Sequence, residues 1–134
     1  MSKLTAKTGS LLLDTNCAID VIAEHPLARS FIEMPQVYFP ITAVGELLFG
    51  AYNSGRQKEN LLRAHEFVHR VTVLYCDDDT ADWYARVRLQ LKRSGRPIPT
   101  NDMWIAAVAL QYGLKIASKD GHFDYVEGLE RVEW

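Results

Sequence analysis

The sequence predicts an α/β fold, a mostly parallel sheet with helices on both faces. Short runs rich in β-branched and aromatic residues alternate with longer stretches of helical periodicity. Strands kept apart by helices need crossover connections, which make neighbouring strands parallel. The 134 residues are 48% apolar, enough to bury such a sheet, and the length fits one domain spanning residues 1–134.

Each element has its own signal. Leu11–Leu13 is an unbroken apolar run, as expected of a strand covered on both faces. A helix follows over Thr15–Glu24, and past Pro26 a second covers Ala28–Glu33, ended by Pro35. The aromatic and β-branched run Val37–Ile41 forms the next strand, and Thr42 can cap a helix over Ala43–Ser54. The stretch Gln57–Arg70 is amphipathic and helical, and Val71–Tyr75 is the third strand. The acids of "DDDT", residues 77–80, precede a helix over Thr80–Arg93, where Asp79 can cap and the others complement the dipole. Asn101–Tyr112 is the last helix, stopped at Gly113; Lys115–Ala117 and Arg131–Glu133 complete the sheet.

Composition narrows the function. The longest apolar stretches, such as Met103–Leu110, are too short to span a bilayer, and "MSKLTAKTGS" lacks the apolar centre of a signal peptide. A cytoplasmic protein with no membrane role is expected. Cys17 and Cys76 sit in no ligand-like spacing and read as small buried apolar residues. A net charge of −2 excludes a protein that coats nucleic acid by charge alone. One segment departs from this average. Between Asp82 and Asp102 there is no acid, while Arg86, Arg88, Lys92, Arg93 and Arg96 are all basic.

Four carboxylates stand where apolar residues are expected. Asp14 ends the apolar run "SLLLDTN", at the carboxyl end of a strand, where α/β folds bind ligands. Glu46 is the only carboxylate from Thr42 to Tyr52, on a helix apolar nearly all round and therefore expected to be heavily buried. With Thr42 as cap, the capping-box position is Gly45, so capping does not explain Glu46. Asp102 shares a helix face with Ile105, Ala106 and Ala109, the stripe expected to pack on the sheet. Asp120 follows "KIAS" as Asp14 follows its leucines, although an Asp-Gly pair also suits a plain turn. Carboxylates gathered in one crevice raise one another's pKa, and a divalent cation relieves the conflict. Oxygen ligation without cysteine suits Mg²⁺ or Mn²⁺, ions that join carboxylates to phosphates.

"LLLDTN", "ITAVGELLFGA", "NDMWIAAVAL" and "IASKDGHF", in this order, resemble the signature blocks of PIN-domain ribonucleases, in particular VapC-type toxins of bacterial toxin–antitoxin pairs. The resemblance implies a three-layer α/β/α sandwich, Mg²⁺ or Mn²⁺ dependence, endonucleolytic cleavage of RNA, a homodimer, and a cognate VapB-like antitoxin wrapping the toxin. It makes Asp14, Glu46, Asp102 and Asp120 the catalytic and metal-binding acids. Asp14 and Asp102 would anchor the metal, Asp120 complete its shell, and Glu46 ligate it or hold the attacking water. Thr15, Asn16 and Ser118 match positions that orient the acids or water, and Asp124 is a weaker substitute for Asp120. With that function, Arg86, Arg93 and Arg96 become candidates for RNA-backbone contact.

Other features carry less. His65 and His69 have a zinc-compatible spacing but nothing nearby completes a shell, and His122, beside Asp120, is a candidate phosphate contact. Phe49 and Tyr52 offer a dimer or antitoxin surface. Two rival functions remain at this level. In a phosphotransfer receiver domain, "YCD" at 75–77 would supply the third-strand aspartate, but Glu46 and Asp102 would have no counterpart. In a catalytically inactive PIN-like binding module, the acids would be structural only.

Overall fold

The computed structural model describes residues 10–26, 28, 31 and 36–134. Strand β1 is Ser10–Leu13, followed by helix α1 (Thr15–Ile22) and strand β2 (Gln36–Pro40). Helices α2 (Ile41–Tyr52) and α3 (Gln57–Arg70) lead to β3 (Thr72–Leu74). Helices α4 (Asp78–Ser94) and α5 (Thr100–Tyr112) lead to β4 (Lys115–Ala117), and a 3₁₀ turn over Gly121–Tyr125 precedes β5 (Arg131–Val132). The sheet order is β3-β2-β1-β4-β5 and every described pairing is parallel.

This order fixes the layers. From β1 the chain steps outward through β2 to β3, then returns past β2 and β1 to add β4 on the other side. Right-handed crossovers in opposite directions put α1, α2 and α3 on one face and α4 and α5 on the other. Central β1 pairs Leu12 with Tyr38 and Ile116, and its three leucines are buried on both faces. The reversal of direction beside β1 opens a crevice at the carboxyl ends of the strands, at Asp14. On one side of the core Phe67 of α3 meets Phe39 of β2 edge to face, 5.2 Å between ring centres.

Four expectations are corrected. Thr42 does not cap α2: Pro40 takes that position, the helix opens at Ile41, and the Thr42 hydroxyl is buried without a hydrogen-bond partner. Proline ends the strand and its extended backbone starts the helix, two residues earlier than a side-chain cap would. Asp77, not Asp79, caps α4, because Thr80 closes a reciprocal box with it: each backbone N–H reaches the other's side chain at 3.0 Å. Helix α2 is one-sided rather than heavily buried. Ala43, Val44, Leu47 and Ala51 face the core, whereas Glu46, Phe49 and Tyr52 are exposed. Cys17 is buried as expected, but Cys76 is exposed in the link before α4.

Most of the helix expected over Ala28–Glu33, with its terminator Pro35, lies outside the described residues; Ala28 and Phe31 are helical and buried. Gly113 closes α5 in the left-handed region at φ +67°, and Gly95 closes α4 at +69°, conformations that favour glycine. No helix among the described residues is long and apolar enough to cross a membrane.

Candidate metal centre

The centre is built on backbone. The Asp14 N–H donates to the Ala117 carbonyl at 3.1 Å, extending the β1–β4 ladder by one bond and carrying Asp14 to the lip of the crevice. Its side chain caps α1, with Oδ1 accepting the Thr15 N–H at 2.8 Å, and Oδ2 accepts the Ser118 hydroxyl at 2.8 Å. Only 6% of Asp14 is exposed. Burial pushes its pKa above the usual carboxylate range; the Ser118 and Thr15 hydrogen bonds oppose the rise, and the charges of Glu46 and Asp120 add to it.

Two hydroxyls set the neighbouring acids. Ser118, fully buried after β4, donates to Asp14 and accepts the Asp120 N–H at 3.0 Å, so one oxygen ties two acid-bearing strand ends together. Thr15 donates from Oγ1 to Glu46 Oε1 at 2.7 Å, holding the α2 acid over the start of α1. Asn16 is exposed and makes no hydrogen bond to any of the four acids among the described residues.

Asp102 lies in the first turn of α5, and Ile105, Ala106 and Ala109 on its stripe are fully buried. Its carboxyl is pushed up to about 6, first by burial and next by the Asp14 charge; His122 pulls the other way and Glu46 adds a smaller push. The four acids are thus near enough to sense one another. Asp14 feels Glu46 and Asp120, and Asp102 feels Asp14 and Glu46.

The imidazole of His122 is the addition that the structure makes. Asp120 caps the 3₁₀ turn by accepting the His122 N–H at 3.1 Å, which folds the ring back between two carboxylates. Nδ1 lies 2.8 Å from Asp120 and Nε2 lies 2.8 Å from Asp102. Although close to Asp102, the buried Nε2 lacks a partner along a hydrogen-bonding direction. Asp102, Asp120 and His122 each offer one ligand atom, all within 4.8 Å of one another. Asp14 and Glu46 face this tightest group from the β1 and α2 side. The sequence offers His122 only as a candidate phosphate contact; its place between Asp120 and Asp102 depends on a long-range contact that no local signal carries.

Other candidates sit apart. Asp124 is held by Arg131 through two contacts of 2.9 Å, which keeps its carboxyl below the usual range. His65 and His69 are exposed on α3. Asp77 serves the α4 cap and accepts from Gln111 at 3.1 Å, so the receiver-like use of "YCD" fails. That contact and the 2.5 Å bond from Thr80 to Gln111 join the start of α4 to the end of α5, so the two helices run antiparallel. The end of α4, with Arg93 and then Arg96, therefore arrives beside Asp102. Arg86 lies further back, paired with Asp82 at 2.9 Å and set over the Trp83 ring. A groove of about 360 Å³ between α1, α2 and α3 is lined by Ile19, Ile22, Leu47, Ala51 and Ala64, with Glu46 on its wall. Exposed Phe49 and Tyr52 belong to the same helix α2.

The profile of the PIN domain family matches residues 11–129. The tRNA(fMet)-specific endonuclease VapC of Shigella flexneri is 34% identical over 127 residues, covering 92% of this chain and 96% of that protein. Ribonuclease VapC5 of Mycobacterium tuberculosis is 32% identical over 124 residues, 91% of each chain. Among solved structures, DNA-bound VapBC of Salmonella typhimurium superposes with a TM-score of 0.86 at 27% identity, covering 93% of this chain and 98% of that one.

Proposed function

The chain belongs to the PIN-domain family, and we propose that it is an endoribonuclease, the toxin of a toxin–antitoxin pair, acting in the cytoplasm as one nuclease domain. The observation that carries its chemistry is the convergence of Asp14, Glu46, Asp102 and Asp120 on one crevice; burial and the Asp14 and Glu46 charges push the Asp102 carboxyl up to about 6 there.

The residues fit a divalent cation. Metal-free, the crevice holds mutually repelling acids, two of them 2.8 Å from the ring nitrogens of His122, a donor set that coordination would satisfy. Asp102 and Asp120 with Asp14 would hold Mg²⁺ or Mn²⁺, and His122 would add a nitrogen donor. When bound, such an ion lowers the pKa of a water and stabilises charge on a phosphate. The chain's own contribution is placement. Ser118 fixes the Asp14 carboxylate relative to Asp120, and Thr15 fixes Glu46, the acid most exposed to solvent and best placed to orient an attacking water. The ribose 2′-hydroxyl takes no part, so the products should carry 5′-phosphates.

The purified protein should cleave RNA when Mn²⁺ or Mg²⁺ is present, stop on addition of EDTA, and leave 5′-phosphate ends in end-group analysis. Cleavage that persists in EDTA, or cyclic phosphate products, would rule this chemistry out.

Arg86, Arg93 and Arg96 give the substrate its electrostatic track along α4 toward Asp102. Replacing all three with glutamine should weaken RNA binding and reduce its salt slope by about 2, near 0.7 per lost single-strand phosphate contact. Binding titrations at several salt concentrations check this; an unchanged slope would reassign the patch. The partner is an antitoxin protein. The apolar groove beside Glu46, with Phe49 and Tyr52 on the same helix, is the surface suited to it or to a second copy in a homodimer.

A further inference from the structure

Two side chains beside the crevice make an arrangement that neither acid chemistry nor charge steering needs. The Arg96 guanidinium lies over the Tyr125 ring, 4.7 Å from its centre. Both residues are exposed, Tyr125 at 40%. Tyr125 ends the 3₁₀ turn Gly121–Tyr125, which also carries His122, and in such a helix residues three apart eclipse. Ideal 3₁₀ geometry puts the two backbone positions on one face, about 6 Å apart along the axis at roughly 2 Å of rise per residue. Arg96 arrives from the other side, in the link from α4 to α5, six residues before Asp102.

The platform is braced from below. Gln90 donates from Nε2 to the Tyr125 carbonyl at 3.0 Å and accepts the Glu127 N–H at 3.1 Å, pinning the end of the turn to α4. The cations nearby differ in how they are engaged. Lys119 is 3.6 Å from Asp20 and sits over the Trp134 ring, and Arg131 is taken by Asp124 and Glu133. Among the described residues Arg96 has no carboxylate partner, so its plane and its donors are available.

We propose that Arg96 and Tyr125 form a stacking platform for one unpaired nucleobase of the RNA substrate, a contact that needs no metal in the crevice. This rests on the ribonuclease assignment and deepens it from backbone binding to base placement. Unstacked bases of single-stranded RNA pack on aromatic rings and on guanidinium planes, and a guanidinium set over a tyrosine offers both to one base. The ring orders the guanidinium in advance, so little side-chain freedom is lost when a base arrives.

The test uses single-stranded RNA decamers carrying 2-aminopurine at one position each, bound in EDTA so that no cleavage occurs. For the wild-type protein, fluorescence should be quenched at one position beyond the general background. Arg96→Lys keeps the charge and removes the plane; it should lose that quenching and bind about tenfold more weakly, with the salt slope unchanged. Tyr125→Phe should behave as wild type and Tyr125→Leu should follow Arg96→Lys. Wild-type quenching and affinity in Arg96→Lys would overturn the platform, leaving Arg96 as a phosphate contact only. Metal-dependent cleavage by the wild-type protein is measured in parallel. If it is present while Arg96→Lys is silent, the platform alone fails; if it is absent, the ribonuclease assignment fails first.

Discussion

Asp14→Asn should lower the rate of RNA cleavage by about a thousandfold or more while the protein stays folded, since losing even one stabilising contact to developing charge costs on the order of 10²–10³. The substitution keeps the shape and the Thr15 N–H bond to the remaining carbonyl oxygen, while the new amide nitrogen faces Ser118 and can donate to its hydroxyl oxygen, so the ends of β1 and β4 remain joined. What disappears is the buried negative charge at the centre of the crevice. Because that charge is costly in the metal-free protein, the variant should melt no lower than wild type. Cleavage kinetics and thermal melting together check both halves. Full activity in Asp14→Asn, or collapse of the fold, would each contradict the role given to it.

Asp102→Asn should cost a comparable factor in cleavage and also change how stability depends on pH. The native state holds the Asp102 proton up to about pH 6, whereas the ordinary carboxyl releases it near 3.8. Between these values the folded protein binds more protons than the unfolded chain, so unfolding free energy falls as pH rises from about 4 to 6 and then levels. The penalty, discounted for a partly solvated group, is on the order of 1–2 kcal/mol. Metal-free Asp102→Asn should therefore be more stable than wild type at pH 8, with a melting temperature higher by several degrees, and equal to it near pH 4. Melting curves across this range decide. A variant less stable at pH 8 would show that the Asp102 carboxylate stabilises the fold instead of straining it.

Sequence patterns were strongest where one signal acted alone. The strand Lys115–Ala117 and the helix Gln57–Arg70 were legible to the residue, the first from an apolar run after Gly113, the second from amphipathic spacing. Boundaries slipped where two local signals compete. At α2 the proline of Pro40 outweighs the hydroxyl of Thr42, and at α4 the box between Asp77 and Thr80 outweighs Asp79. Asp14 stood out because an apolar run ended on an acid, and the structure gives it backbone and hydroxyl partners at 2.8 Å. Glu46 stands out in the sequence for a reason the structure does not share: its apolar helix predicts burial, yet it is exposed and tethered by Thr15. The placement of His122 was not legible. It depends on a 3₁₀ turn capped by Asp120 meeting the first turn of α5, a contact between segments about twenty residues apart.

The contact of Arg96 with the Tyr125 ring is equally beyond one-dimensional reading, since the arginine belongs to a run of five bases with no visible hierarchy. Folding separates them. Arg86 is engaged with Asp82, Arg88 donates to Tyr84 at 2.7 Å, and the end of the run is brought to the crevice by the antiparallel packing of α4 on α5. Position in the fold therefore distinguishes bases that composition counts alike.

Isothermal titration of the metal-free protein with Mn²⁺ at pH 7.5 tests the shared metal site most directly. Wild type should bind in the submillimolar range or better, and Asp14→Asn and Asp102→Asn should each weaken binding by at least about tenfold, as loss of even a supporting group does. Absence of binding by wild type at millimolar Mn²⁺, or unchanged binding in both variants, would contradict it.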